Sequence, residues 1–245
     1  LAGLTLKEAY EKQPTLFTEK TYDKFPLLIK ILDASDNLSV QVHPEDDYAR
    51  ENENGELGKT ECWYVLDAKE GAKLVYGHTA KTKEEFNDKI DRAQWQELFI
   101  EEEVKVGDFF YIPAGTLHAI GEGILIYEVQ QNSDTTYRVY DYDRVDKDGN
   151  KRELHIEKTK DVTKVPFEKV TTSPKTEKLE GATVTYLADE RYFSVFKVEM
   201  EGQVSLEKTR TGNLFTVLNG SGSVEIDGNS YDVRKGDSFI LTTDC

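Results

Sequence analysis

A mainly β protein assembled from barrel or jelly-roll units is the fold class this sequence predicts. Three observations carry the expectation. Short apolar or alternating runs recur along the chain, separated by Gly, Asn and Asp turns. Aromatic residues make up 11% of the chain, enough for a packed core even though charged residues reach 32%. Gly107-Asp108-Phe109-Phe110 has a faint echo in Gly236-Asp237-Ser238-Phe239, each entering a strand-like run after a Lys- or Arg-bearing turn. The echo predicts two related β units, the second incomplete.

The elements follow in order. Thr5 with Glu8 three residues on is a capping box, so a helix starts there and ends before Pro14. Phe25 to Ile31 is an apolar strand, and Leu38 to His43 alternates with period two until Pro44 stops it. The acidic stretch 45–58, with Asn54-Gly55 and Gly58, reads as a long loop. Cys62 to Leu66 and Ala72 to Tyr76 are strands. Phe86, Ile90, Leu98 and Phe99 among many charges predict one or two helices within 82–99. Phe109 to Ile112, Ile124 to Val129 and Tyr137 to Tyr140 are strand-like. A charged connector with Pro166 and Pro174 spans 155–184. Beyond it come Phe193 to Met200, Leu214 to Leu218, Ser223 to Ile226 and Phe239 to Leu241. The organisation expected is a first barrel with helical insertions over 1–154, the connector, and a second barrel over 185–245. The chain opens at Leu1 without Met and stops just after a strand, so it can be a fragment of a longer one.

Charge excludes some roles. With 31 Lys and Arg against 47 Asp and Glu, the net charge is −16. That repels phosphate backbones and anionic lipid, so neither nucleic acid nor a membrane is expected as partner. No run approaches 18 apolar residues, and no secretory leader pattern is present. Two cysteines, Cys62 and Cys245, cannot build a disulfide framework, which fits a reducing cytoplasm.

Four histidines occur, at 43, 78, 118 and 155. Gln41 and His43 lie two apart on one strand and so share a face. His118 ends the pattern Gly107-x5-Pro113-x-Gly115-x2-His118, a tight turn feeding a strand. Glu61 heads another strand. Two imidazoles, a carboxylate and an amide oxygen make a mixed nitrogen and oxygen shell suited to a divalent metal. The plainer alternative is that Gln41 and His43 are ordinary polar residues of a half-exposed strand. Other residues have structural readings: His78 as a surface loop histidine, His155 as a satisfied structural one, Trp63 and Trp95 as core, Cys62 as a buried inert thiol. Glu101 to Glu103 reads as a solvated face.

The turn at 107–118 matches the second motif of the cupin superfamily. Longer stretches resemble type I phosphomannose isomerase, in its shorter bacterial form. They are Leu38-Ser39-Val40-Gln41-Val42-His43-Pro44, Gly58-Lys59-Thr60-Glu61-Cys62-Trp63-Tyr64, Ile112-Pro113-Ala114-Gly115-Thr116-Leu117-His118-Ala119-Ile120 and Glu128 through Arg138. The resemblance implies cupin-type β-barrels, the first catalytic; the second is expected to be metal-free, because no histidine lies beyond His155 and the turn after Gly236 lacks both the Pro and the His of the motif. The resemblance implies one divalent metal, usually zinc, on Gln41, His43, Glu61 and His118, and interconversion of mannose 6-phosphate and fructose 6-phosphate. The family's catalytic arginine falls on Arg138. Glu128, Asp134 and Lys59 match residues of proton transfer or substrate contact, and Ser39 and Lys30 match positions near the sugar phosphate. Two departures stand out. Glu56-Leu57-Gly58-Lys59-Thr60-Glu61 replaces an Asn-His-Lys-Pro-Glu run of longer members, and Ile120 stands where they carry tyrosine.

The chemistry is coherent by itself. Moving a carbonyl between C1 and C2 needs a proton taken and returned, and the enediolate between needs a cation beside its oxygens. Arg138 is a permanent, planar cation, and Lys59 lies two residues from Glu61. Without the resemblance, each is equally well a solvated surface charge, and the base stays open. Two other readings compete: another cupin chemistry, such as oxygen activation at iron, and a non-catalytic sugar-binding or regulatory cupin. Gln41 in place of a further histidine argues against iron, while Arg138, Lys59 and Glu128 together favour catalysis.

Overall fold

The computed structural model describes residues 3–205 and 209–245, and the fold is mainly β. The chain divides into two units, Leu27–Glu201 and a smaller one made of Leu1–Pro26 with Gly202–Cys245. The smaller unit opens with helix α1 (Leu6–Lys12). Thr5 Oγ1 accepts from the Glu8 N–H and the Glu8 carboxylate accepts from the Thr5 N–H, which is the capping box expected.

In chain order the larger unit holds β1 (Leu27–Asp33), β2 (Val40–Val42), α2 (Asp46–Asn52), β3 (Glu61–Ala68), β4 (Lys73–His78), α3 (Lys83–Asp91), α4 (Trp95–Leu98) and β5 (Phe99–Glu103). It continues with β6 (Phe109–Ile112), β7 (His118–Ala119), β8 (Ile124–Gln131), β9 (Tyr137–Tyr140), α5 (Ile156–Val162), β10 (Lys175–Leu179), β11 (Ala182–Asp189) and β12 (Ser194–Met200). Two antiparallel sheets, ordered β1-β8-β3-β6 and β5-β4-β7-β2-β9, make its centre. They are open sheets sharing one core, not a closed ring of hydrogen-bonded strands. Trp63, Val65, Phe110, Ile112 and Ile126 from the first meet Leu74, Tyr76 and Ile120 from the second side.

Each sheet also buries its outer face. Cys62, Tyr111 and Val129 pack with Ala188 and Phe193. Val40, Val42, Leu117, Ala119 and Val139 pack with Phe86, Ile90 and Leu98 of the helical insertion. Burying a side chain of that size is worth roughly 1.5–3 kcal/mol, which is how helices this short hold their place.

In the smaller unit β13 (Asn213–Thr216), β14 (Ser221–Ile226), β15 (Asn229–Arg234) and β16 (Ser238–Leu241) pair as β13-β16 and β14-β15. Asp227 and Gly228, both at positive φ, close the β14-β15 hairpin. The echo in sequence is a repeated turn. Gly107, at φ +93°, donates to Val65 O, and Asp108 accepts from the Lys105 N–H through its carboxylate. Gly236, at φ +94°, donates to Val217 O, and Asp237 accepts likewise from Arg234. Only glycine takes that φ freely, and the Asp side chain ties the turn back on itself.

Several expectations need correcting. The 45–58 stretch is not all loop: α2 forms there, with Asp46 and Asp47 in its first turn, Arg50 in its last and only Ala49 buried. Charges complementing the helix dipole, not an apolar stripe, specify it. Segment 155–184 contains α5 and β10, and β10 is exposed at every residue, so no hydrophobic alternation announces it. Glu101 to Glu103 belong to β5, an edge strand, where carboxylates discourage pairing with other chains. No helix among the described residues is long and apolar enough to cross a membrane.

His78 is not a surface histidine. It is 2% exposed, against Phe86 and Phe167, with Nε2–H donating to Lys164 O at 2.9 Å and Nδ1 without a partner among the described residues. Burial, with Lys81 and Lys83 nearby, lowers its pKa below the ordinary histidine value against the opposing pull of the Lys164 carbonyl and Glu85. An unfolded chain takes up that proton near pH 6.5 while the folded one resists it, so stability falls as pH drops below about 6.5. Replacing His78 by Gln should reduce the loss of urea midpoint between about pH 7.5 and pH 5.5 relative to the parent. An unchanged pH slope would show that His78 does not contribute to it.

Candidate metal centre

Strand register assembles the site. On the first sheet, Lys30, Glu128 and Trp63 are cross-strand partners in one row, and Gln130, Glu61 and Ile112 form the next. Residues directly opposite share a face, so these rows present Lys30, Glu128, Gln130 and Glu61 together. On the second sheet Gln41 is paired with both His118 and Arg138. His43 follows just after β2 and is 1% exposed.

His43, Glu61 and His118 converge, their ligand atoms all within 4.8 Å of one another. His43 Nε2 lies 3.5 Å from Glu61 Oε2, His118 Nε2 3.3 Å from Glu61 Oε1, and the two Nε2 atoms 3.1 Å apart. Each imidazole has its other nitrogen committed: His43 Nδ1 to Thr135 O and His118 Nδ1 to Thr116 O, both at 2.9 Å. A carbonyl only accepts, so each Nδ1 carries the proton and each Nε2 offers a lone pair. The 3.1 Å contact is therefore two acceptors face to face, not a hydrogen bond. Neither oxygen of Glu61 finds a hydrogen-bond donor among the described residues, although the Lys59 ammonium lies 3.1 Å from Oε2.

Convergent acceptors with no exposure to water are what a divalent cation satisfies, and carbonyl-anchored imidazoles are the usual support of such ligands. The electrostatics agree. Burial pulls the His43 pKa to about 3, with Lys59 adding to it, and burial lowers that of His118, so both imidazoles are neutral. For Glu61, burial pushes upward but the Lys59 ammonium beside it outweighs that, holding the carboxyl well below its ordinary range. All three are in the protonation state a metal needs.

The segment bearing Lys59 and Glu61 is pinned from several sides. Lys59 N donates to Pro44 O, Gly58 N to Asp46 Oδ1, and Thr60 N to Gln131 Oε1. The Gln131 amide donates to Asp46 Oδ1, and Tyr192 OH donates to Asp46 Oδ2. Asp46, Gln131 and Gly58 were not singled out from sequence as functional. The acid at 46 looked like one of many in a loop, and only the helix it starts gives it a purpose.

The other predicted residues fall as follows. Glu128 and Lys30 meet at 3.0 Å, and Lys30 also donates to Gln130 Oε1 at 2.5 Å. Burial and the nearby Glu61 raise the Glu128 pKa, with Lys59 and Lys30 opposing. Arg138 donates from Nη1 to Glu153 O and from its backbone N–H to His155 Nδ1, while its Nε is buried with no partner among the described residues. His155 is thus structural, as expected. Ser39 is buried ahead of β2, and Asp134 is exposed on the turn before β9. Cys62 is buried and its thiol pKa raised by that burial, which fits an inert thiol.

The family model "Phosphomannose isomerase type I, catalytic domain" matches residues 1–66, and "Mannose-6-phosphate isomerase, cupin domain" matches 182–245. Mannose-6-phosphate isomerase ManA of Bacillus subtilis is 49% identical over 239 residues, 98% of this chain and 76% of that protein. Mannose-6-phosphate isomerase of Streptococcus mutans is also 49% identical over 239 residues, covering 98% and 75%. The crystal structure of the mannose 6-phosphate isomerase from Bacillus subtilis superposes with TM-score 0.94 at 44% identity, covering 98% of this chain and 77% of that one. A more distant mannose 6-phosphate isomerase structure, bound with zinc and yttrium, has TM-score 0.75 at 16% identity over 98% and 81% and shares the fold.

Gly58 gives a prediction. A Cβ there would stand 2.5 Å from Asp46 N and Glu45 C and 2.7 Å from Pro44 O, all backbone. Gly58→Ala must displace the segment that carries Lys59 and Glu61. It is expected to lower both the thermal midpoint and the metal content per chain by elemental analysis. Metal content equal to the parent's would show that the segment absorbs the methyl group without moving Glu61.

Proposed function

The chain belongs to the type I mannose-6-phosphate isomerase family, and from that premise we propose that it interconverts mannose 6-phosphate and fructose 6-phosphate through an enediolate. One observation carries the reading: three buried ligand groups converge next to a buried carboxylate, Glu128, that has its own cation in Lys30. His43, Glu61, His118 and Gln41 would hold one divalent ion, zinc by family, whose contribution when bound is positive charge near anionic oxygens.

The residues divide the remaining work. Glu128 takes the C2 proton of the open-chain aldose, leaving the C–H electron pair in the enediolate. It returns that proton to C1 while the carbonyl re-forms at C2, and the O2 hydroxyl proton passes to O1 of the same substrate, so the isomerisation is balanced in protons and electrons. A carboxyl raised by burial is suited to both directions. Arg138 stabilises the oxygens of the enediolate, and its buried Nε, without a partner among the described residues, is a donor for one of them. Lys59 adds positive charge beside Glu61. Lys30 and Ser39 are assigned to the sugar phosphate, and Asp134 to substrate contact from the rim.

We read residues 1–154 as the catalytic cupin barrel, 155–184 as a connector and 185–245 as a second, metal-free barrel. No histidine lies beyond His155, and the cupin-domain match over 182–245 supports the second assignment. A net charge of −16 disfavours nucleic acid and anionic membrane as partners, and a cytoplasmic setting suits the unpaired thiols of Cys62 and Cys245.

A coupled assay for fructose 6-phosphate, with and without chelator, tests the whole. Chelation should abolish turnover and one equivalent of zinc per chain should restore it. Turnover unaffected in protein shown to be metal-free would end this reading. Arg138→Ala should lower kcat on the order of 10²–10³-fold with metal content unchanged. Arg138→Lys should recover little, because an ammonium lacks the two-pronged planar contact. Near-normal kcat with a raised KM would instead make Arg138 a ground-state phosphate ligand.

A further inference from the structure

Trp63 has a claim beyond filling the core. It is fully buried, and its indole N–H donates to Glu128 Oε2 at 2.9 Å. The other oxygen, Oε1, accepts from Lys30 at 3.0 Å. Lys30 in turn donates to Gln130 Oε1, and the Gln130 amide is oriented by donating to Gln131 O and Ser133 O at 2.8 and 2.9 Å. Each oxygen of the carboxylate thus has one fixed donor, and each donor is itself held. A carboxylate oxygen has two lone-pair sites, so one on each oxygen stays open. The Trp63 ring also stands edge-on to His118, centroids 5.4 Å apart at 76°. One rigid side chain touches both a residue of the metal cluster and the carboxylate.

We propose that Trp63 is a positioning residue for the isomerisation: its N–H sets the plane of the Glu128 carboxylate relative to the His43-Glu61-His118 cluster. The inference rests on the reading of Glu128 as the proton carrier. A tryptophan serving only as core would satisfy its N–H on any backbone carbonyl. Here the acceptor is the one buried carboxylate assigned to proton transfer, and it sits opposite Trp63 in the strand register. A carboxylate with only the Lys30 contact can rotate about its last bond, which shifts the attacking oxygen relative to C2.

The test compares Trp63→Phe, Glu128→Gln and the double variant in zinc-loaded protein, with mannose 6-phosphate protonated or deuterated at C2. Trp63→Phe should lower kcat on the order of ten- to hundred-fold, with KM within about two-fold and metal content unchanged. Its isotope effect on kcat should rise as proton transfer becomes more rate-limiting. In the Glu128→Gln background the Trp63 replacement should cost little more, since both act through one contact. If Trp63→Phe fails to fold, incorporation of the benzothiophene analogue of tryptophan at 63 removes the N–H at nearly constant shape. The same losses are expected from it. Kcat and isotope effect within about two-fold of the parent, with Glu128→Gln inactive, would overturn the proposal and leave Trp63 as core. A fall in metal content with unchanged turnover per bound metal would also overturn it, assigning Trp63 to His118. Normal turnover in Glu128→Gln would instead remove the proton-carrier reading, and the positioning role with it.

Discussion

Glu61 is a carboxylate with no exposure to water, and the site around it is arranged to keep it ionised. An isolated buried carboxylate would take up a proton rather than stay charged. The Lys59 ammonium at 3.1 Å resists that, while the two neutral imidazoles turn lone pairs toward the same space, an arrangement a divalent cation would complement. Removing one partner from a buried charged group typically costs about 3–5 kcal/mol. That magnitude explains why the 57–61 segment is tied down by so many backbone contacts. Gly58 allows the chain to pass against the backbone of Pro44 to Asp46, and Asp46 and Gln131 fasten it there.

The sandwich supplies the second constraint. Its two sheets share an apolar core through Trp63, Ile112, Tyr76 and Ile120, so their facing surfaces are fixed to within the tolerance of close packing. On the first sheet the apolar rows give way to polar ones toward Glu128 and Gln130, and on the second toward Gln41 and His118. Register alone then brings together residues about a hundred positions apart in sequence, such as Lys30 and Glu128. A slip of one residue in β8 would turn Glu128 and Gln130 outward and Val129 inward. The outer-face packing of Val129 with Cys62 and Tyr111 opposes that slip.

Much of this was legible in the sequence, and the reasons differ by element. Tyr137–Tyr140 declares itself by alternating burial, and Phe109–Ile112 by a continuous apolar run, because its sheet is covered on both faces. The α1 cap is local chemistry and needs no partner to be read. β10 and α2 are silent because neither buries a stripe: β10 is exposed throughout and α2 buries only Ala49. His78 was misread because its surroundings, Phe86 and Phe167, lie 8 and 89 residues away in sequence. In the site, His43, Glu61 and His118 were found through spacing and family likeness. Gly58, Asp46 and Gln131 were missed because their work is done on backbone that the sequence does not locate.

Trp63 shows where the boundary between core and site breaks down. By burial alone it belongs with Val65 and Ile126, and its sequence neighbourhood suggests nothing more. Its indole nevertheless divides between two functions of one side chain: a ring packed on apolar neighbours and on His118, and an N–H spent on Glu128. Large aromatic residues with one polar atom suit such places, because the body fills volume while the polar atom needs one directed partner. The same division holds for Gln130, fully buried, whose amide hydrogens go to backbone and whose oxygen goes to Lys30. A buried polar group is costly unless every atom is satisfied, so each such residue restricts its neighbours to one arrangement. The precision of the carboxylate therefore comes from the core behind it, not from the cleft in front of it.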